Sequence, residues 1–320
     1  MYIMIRNRNV LLTLGAVAVI LGIVGFAAFH GSSLALLNPS GSIGLQERTV
    51  ILVTLLLSGI IVVPVFLMLF LFAWKYRADD AHAAERHAPE WDHDSWWTDE
   101  LVWWIVPSVI VFTLSIVTWQ SSHALDPYKP IVSGNPPITV QVVALDWKWL
   151  FIYPDQGIAT VNMLEIPADT PVHFELTADA PMNSFWIPKL GGQIMAMPGM
   201  MTQLYLMANG EGTYTGMSAN ISGAGFAGMT FVAKSVSKDT FNAWVQSQKD
   251  GPTLTADAYA SLTKPTSYVP PTHYALANSN LYTSVIMSYL VPTITAGMDF
   301  SEMTKAIGSA SLPTIPTLQP

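Results

Sequence analysis

The sequence predicts a membrane α-helical hairpin, with a third helix if an N-terminal one is retained, followed by an extracytoplasmic all-β Greek-key sandwich and a C-terminal helical extension. Of the 320 residues, 51% are hydrophobic and only 11% are charged, whereas about a quarter of the residues in a soluble domain carry charge. Long apolar runs fill the first part of the chain. Short alternating stretches, separated by Pro, Gly, Asn and Asp clusters, follow from residue 131.

The apolar runs are long enough to cross a membrane. None of them contains a charged side chain, and a helix of about 20 apolar residues spans a bilayer core of roughly 30 Å. The first run follows Arg6 and Arg8, so the segment 1–35 fits a cleaved secretory signal as well as a retained membrane helix. The runs are residues 10–29, 50–74 and 101–119, and the last two form the predicted hairpin domain, 36–120.

The orientation of the hairpin follows from the end of its first helix. Trp74, Lys75, Tyr76 and Arg77 combine interfacial aromatic rings with two cations, and such clusters are typical of the cytoplasmic side of a membrane. The loop 78–100 is therefore expected in the cytoplasm. Everything that follows the second helix is expected on the periplasmic side.

The predicted outer domain, 121–236, is a β-sandwich, because short strands with one apolar face need a second sheet to cover that face. In the extension, 237–290, a helix over 240–248 places Phe241, Trp244 and Val245 on one face. Residues 281–290 are also apolar, and the Thr, Pro and Ser-rich segment 291–320 predicts a disordered tail. The predicted strands are 138–145, 172–176, 202–207, 212–217 and 229–232.

Composition excludes several functions. The chain has no cysteine, which excludes disulfides, cysteine-ligated zinc, iron–sulfur clusters and a thiol nucleophile. Its formal net charge is -8, with only 14 Lys and Arg residues, so a nucleic-acid partner is not expected. Three histidines in the cytoplasmic loop, His82, His87 and His93, lie among carboxylates, but their spacing fits no recognised metal site.

Three motifs carry a resemblance to a known family. They are Asp146-Trp147-Lys148-Trp149, the segment from Met182-Asn183-Ser184-Phe185 through Pro188-Lys189-Leu190-Gly191, and the loop 216–229. With the helical hairpin before them, these motifs resemble subunit II of the haem–copper respiratory oxidases. The resemblance implies a cupredoxin-like fold for the outer domain.

In the cytochrome c oxidase branch of that family, an upstream His and a Cys-x-Glu-x-Cys-x3-His-x2-Met loop hold a dinuclear copper centre bridged by thiolates. Here the loop spacing is intact, but neutral residues stand at the ligand positions, and only Met229 remains as a soft ligand. Since Ser and Asn oxygens do not replace thiolates on copper, we expect no metal there. By position, Asn183 replaces the first His, Ser218 and Ser222 the cysteines, Asn220 the Glu and Phe226 the second His.

This pattern of loss resembles the quinol-oxidising, bo-type branch. The resemblance implies a complex that oxidises ubiquinol, reduces dioxygen to water and pumps protons across the bacterial inner membrane. It implies no catalytic residue, metal or cofactor in this chain, with haems and copper in subunit I. Subunit I is then the main partner, beside subunits III and IV and membrane lipids. Ser32 stands where some relatives carry a lipid-modified cysteine.

Glu100, at the start of the third apolar run, matches in register a family glutamate at the cytoplasmic mouth of a proton channel in subunit I. The resemblance therefore makes Glu100 a candidate for the channel entrance. A simpler interpretation stays open, because a carboxylate near a helix N-terminus is favourable through the helix dipole alone.

Two other functions stay open from the sequence. A membrane-anchored cupredoxin that binds or delivers copper would use thioether ligands, although methionine is also an adaptable core residue. A purely structural membrane protein is the third hypothesis. Trp147 and Trp149 are expected in the sandwich core or at the interface with subunit I. The methionines in question are Met195, Met197, Met200, Met201, Met217 and Met229.

Overall fold

The computed structural model describes residue 25 and residues 35–75 and 96–290. The predicted N-terminal segment 1–35 and tail 291–320 lie outside the described residues, apart from residues 25 and 35. The chain divides into two compact units, residues 46–129 and the remainder.

Two long helices dominate the first of these units. Helix α1 (Ser42–Lys75) and helix α2 (Trp96–Ala124) are both long and apolar enough to cross a membrane. They exceed the predicted 50–74 and 101–119, because hydropathy marks the apolar part of a helix while its hydrogen-bonded turns continue into polar residues. Pro64 and Pro107 lie inside the helices without ending them.

The outer domain is a sandwich of two sheets. A seven-stranded sheet has the order β11-β12-β3-β2-β1-β5-β8, and a five-stranded sheet has the order β4-β10-β9-β6-β7. Parallel pairing of β1 with β5 and of β4 with β10 joins strands distant in sequence. The strands are β1 (Ile138–Leu145), β2 (Lys148–Tyr153), β3 (Ile158–Val161), β4 (Met163–Pro167), β5 (Val172–Ala178), β6 (Asn183–Trp186), β7 (Gln193–Ala196), β8 (Thr202–Leu206), β9 (Gly212–Ser218), β10 (Thr230–Val236), β11 (Thr253–Leu254) and β12 (Thr272–Leu276).

The sandwich encloses an aromatic core. Trp149, Phe185 and Phe231 are almost completely buried between the sheets. The Trp149 ring meets Phe185 edge-on at 5.3 Å and Phe231 at 6.0 Å between centroids, distances at which aromatic pairs attract beyond their burial of area. This core packs the two sheets together next to the loop 216–229.

The extension contains three helices, α3 (Lys238–Gln248), α4 (Ala256–Leu262) and α5 (Leu281–Leu290). Helices α4 and α5 pack on the outer face of the seven-stranded sheet, whereas Phe241 and Val245 of α3 belong to the sandwich core. Ser237 caps α3 through Thr240 N, a stabilising start signal. A second apolar cluster, including Val143, Leu150 and Tyr282, lies between the extension and the sheet. The sheet is therefore covered on both faces.

The predicted fold class, a helical hairpin followed by a β-sandwich with a C-terminal helical part, is confirmed. Strands β2 and β3 were not predicted, because they are buried on both faces and so lack the alternation of apolar and polar residues. Strands β4, β6 and β7 were not predicted either, because they have only four or five residues. The extension, predicted as helical, additionally contributes β11 and β12 to the sheet.

Candidate functional site

The structure brings two of the six vacated copper-ligand positions into direct contact. Asn183 begins β6 and Ser218 ends β9, and these strands are neighbours. The Ser218 hydroxyl donates to Asn183 Oδ1 at 3.0 Å, and Asn183 Nδ2 donates to the Pro181 carbonyl at 2.7 Å. Both residues are buried, so each polar group obtains its partner from the protein.

Asn220 and Ser222 lie further along the same loop. Asn220 Nδ2 donates to the Met182 carbonyl at 3.0 Å, which ties the loop to the segment that precedes β6. The Ser222 hydroxyl is shielded from solvent and has no hydrogen-bond partner among the described residues. Its carbonyl accepts a hydrogen bond from Trp147 Nε1 at 3.4 Å.

Phe226 and Met229 close the loop. A 3-10 turn spans Phe226–Gly228, and the Met229 N–H donates to the Phe226 carbonyl at 2.9 Å. Met229 is fully buried and belongs to the sandwich core, whereas Phe226 is half-buried. The one remaining thioether is therefore part of the hydrophobic packing.

The donor set does not fit a dinuclear copper centre. Such a centre needs thiolate and imidazole ligands, while the six positions offer amides, hydroxyls, a phenyl ring and a thioether. Asn183 and Ser218 hydrogen-bond to each other. In the part of the chain that the structure describes, no group of three or more His, Asp or Glu residues could hold a metal ion. His82, His87 and His93 lie outside the described residues.

Trp147 packs against the loop 216–229. Its backbone has a positive φ of 61°, a conformation that few residues with a Cβ adopt. The indole packs against Gly223 and Gly225, and a Cβ added at Gly225 would lie 2.3 Å from the ring. Glycine at position 225 is therefore required for this close approach.

Two buried polar side chains of the sandwich, Lys148 and Asn162, were not among the predicted site residues. Lys148 is 1% exposed, and its Nζ donates to the carbonyls of Leu262 at 2.7 Å and Lys264 at 2.8 Å. Burial lowers the pKa of Lys148, against the opposing effect of Asp146. Asn162, with a φ of 53°, accepts from Trp149 N and donates to the Val269 carbonyl. The sequence signal that could have identified Lys148 is its position in the otherwise apolar strand β2.

One carboxylate links the extension to the sandwich. Asp179, just after β5, accepts hydrogen bonds from the hydroxyls of Tyr259 at 2.7 Å and Tyr289 at 2.8 Å. Burial and the neighbouring Asp179 both raise the pKa of Tyr259 well above its ordinary value, so the phenol remains a donor. Helices α4 and α5 are thus joined at one point.

Glu100 lies four residues after the first residue of α2. Its assignment to a proton-channel entrance stays a prediction.

The fold and the site define a class: a cupredoxin-like oxidase domain that follows, in the sequence, two helices that could span a membrane, with neutral residues at the copper-ligand positions. Residues 156–236 match the family model of the cytochrome c oxidase subunit II periplasmic domain. Residues 248–293 match the model of the COX aromatic rich motif.

Relatives narrow this class. The chain is 48% identical over 260 residues to the cytochrome bo(3) ubiquinol oxidase subunit 2 of Pseudomonas aeruginosa, covering 81% of this chain and 77% of the relative. It is 43% identical over 279 residues to the ubiquinol oxidase subunit 2 of Acetobacter aceti, covering 86% of this chain and 89% of the relative. The chain belongs to the ubiquinol oxidase subunit 2 family, within the haem–copper oxidase subunit II proteins. The predicted family is confirmed, and the chain is a subunit of a quinol oxidase complex.

Among solved structures, the periplasmic domain of cytochrome oxidase subunit II from Bradyrhizobium japonicum matches with a TM-score of 0.35 and 20% identity. The match covers 37% of this chain and 96% of that domain.

Proposed function

We propose that this chain is the non-redox structural and docking subunit of a ubiquinol oxidase that reduces dioxygen to water and pumps protons. The observation that carries the proposal is the hydrogen bond between Ser218 and Asn183. Two positions that resemblance assigns to copper ligands are buried and paired with each other, so an electron relay has no ligand set there. Electrons then enter the complex from a membrane quinol.

If this chain carries no redox centre, the redox centres of the complex belong to its other subunits. Haems, copper and the quinol pocket belong to subunit I, the main partner, and subunits III and IV complete the assembly. The complex lies in the bacterial inner membrane with the large domain on the periplasmic side. The two long apolar helices and the match to a periplasmic domain model support this placement.

Purification of the intact complex tests the proposal. Metal content, haem content and oxidation of ubiquinol and of reduced cytochrome c are measured on one sample, with wild type and Met229→Leu compared. We expect ubiquinol oxidation without cytochrome c oxidation, and a copper content that Met229→Leu leaves unchanged. Copper lost on this substitution, or turnover with cytochrome c, would overturn the proposal.

Glu100 is proposed as the cytoplasmic entrance to a proton channel of subunit I. The neighbouring Asp99 provides a matched control, because adjacent residues in a helix are about 100° apart around its axis, while both share the favourable dipole at its N-terminus. Glu100→Ala is expected to slow turnover or proton uptake in an assembled complex, and Asp99→Ala is not. Equal turnover and pumping in the two variants would contradict the channel role.

A further inference from the structure

The segment 262–269 of the extension makes contacts that together reach loop 216–229. It runs from the last residue of α4 towards β12. Along this short stretch it meets Lys148, Asn162 and Gly228. These three residues come from different parts of the sandwich, so the segment connects regions that are distant in sequence.

Lys148 anchors the start of this segment. Its ammonium group is buried and donates to the carbonyls of Leu262 and Lys264. These carbonyls lie at the C-terminal end of α4, where the helix dipole places partial negative charge. A buried ammonium needs such partners, because an unpaired charge away from water is costly. The two carbonyls are therefore the partners that the buried ammonium requires.

Asn162 and Tyr268 hold the other end. Asn162 Nδ2 donates to the Val269 carbonyl at 2.8 Å, while its Oδ1 accepts from Trp149 N at 2.9 Å. Tyr268 has a positive φ of 55° and is 74% exposed. A Cβ at Gly228 would lie 3.0 Å from its ring, so the exposed tyrosine packs directly on the last turn of loop 216–229.

Trp147 completes a closed ring of contacts. Its indole packs on Gly223 and Gly225 and donates to the Ser222 carbonyl. Because Trp147 and Lys148 are consecutive, one dipeptide holds loop 216–229 through one side chain and segment 262–269 through the other. Tyr268 of the segment then packs on Gly228 of the same loop.

We propose that segment 262–269 is an intramolecular brace that orders loop 216–229 without a metal ion. This assigns a task to part of the region that matches the aromatic rich motif. The inference rests on the proposed function only in taking the loop to be free of metal.

Hydrogen exchange of the intact purified complex tests the brace. Tyr268→Ala removes a mostly exposed ring together with its contact to Gly228, and it keeps the backbone of residue 268 beside Gly228, so the domain is expected to fold. In this variant the amides of residues 218–229 should exchange about tenfold faster than in wild type, since protection there depends on local opening. Exchange in β5 and β8, on the other sheet, should not change. Unaltered exchange in residues 218–229 would overturn the brace.

Lys148→Met keeps the aliphatic stem but removes the hydrogen-bond donor. The amides of residues 262–269 and of residues 218–229 should then both exchange faster than in wild type. Lys249→Met, at an exposed lysine of the same extension, is the control and should leave amide exchange in both segments unchanged. If Lys148→Met frees the segment while the loop stays protected, the brace is wrong. Copper measured on the same samples tests the proposed function separately, because metal in the loop would contradict that function whatever the exchange rates are.

Discussion

The Ser218 hydroxyl donates to Asn183 Oδ1 at 3.0 Å, between strands β9 and β6 of one sheet. The two residues are distant in sequence, and both are almost completely buried. At two of the positions where neutral residues replace copper ligands, the protein has a buried hydrogen bond between two side chains, and the carbonyls of Pro181 and Asn220 accept further hydrogen bonds from them. The Ser218 hydroxyl satisfies Asn183 Oδ1, which would otherwise be buried without a hydrogen bond.

Ser218→Ala should therefore destabilise the outer domain by about 1–3 kcal/mol, the usual cost of leaving a buried acceptor unpaired. The melting temperature of the purified complex, followed by calorimetry, measures the effect. Ser261→Ala removes an exposed hydroxyl and serves as the control. Equal melting temperatures for the two variants would show that the pair contributes nothing.

Gly225→Ala should destabilise the domain by about 1–3 kcal/mol, because overpacking forces neighbours off their preferred positions. The added methyl would lie 2.3 Å from the Trp147 ring. Gly134→Ala, where nothing lies within 4 Å of the added Cβ, should cost little. Near-ultraviolet circular dichroism reports the displaced indole, and an unchanged spectrum with unchanged stability would contradict the packing.

Asp179→Asn should weaken the attachment of α4 and α5, because hydrogen bonds to a charged acceptor are worth about 1.5–3 kcal/mol each. Tyr259→Phe should weaken the attachment more than Tyr289→Phe, since Tyr259 is buried and Tyr289 is 43% exposed. Limited proteolysis within residues 256–290 measures the attachment. Cleavage at the wild-type rate in Asp179→Asn would refute this role.

Glu165 should make stability depend on pH. Burial raises its pKa above the ordinary 4.5, and Lys234 opposes the rise. A raised pKa means that the folded state binds the proton more tightly, so this contribution to stability is present below pH 4.5 and is lost as pH rises through the folded pKa. Glu165→Gln should therefore melt above wild type at neutral pH, with the gain shrinking as the pH falls towards 4.5. A melting temperature of Glu165→Gln below that of wild type at neutral pH would contradict this prediction.

Particular residues explain what could be predicted from sequence. Strand β1 has the predicted bounds, 138–145, because β-branched residues and a clear end at Asp146 mark it. Strands β2 and β3 were missed because the extension covers their second face, so every residue in them is buried. A burial pattern that depends on a distant segment leaves no periodic signal in a local window.

The site shows the same limit. The positions Asn183 and Ser218 followed from loop spacing within a family resemblance, but their mutual hydrogen bond did not, because amides and hydroxyls have many alternative partners. Lys148 was passed over for a similar reason. Its partners are backbone carbonyls at Leu262 and Lys264, and a carbonyl carries no sequence signature.

The pairing of β12 with β3 has a practical consequence for work with the isolated outer domain. Residues 272–275 cover the edge of β3, so a recombinant fragment that stops at residue 248 would expose a row of unpaired backbone amides and carbonyls. Open strand edges of this kind recruit other chains and promote aggregation. A soluble fragment should continue through Leu290, even though the sandwich match itself ends at residue 236.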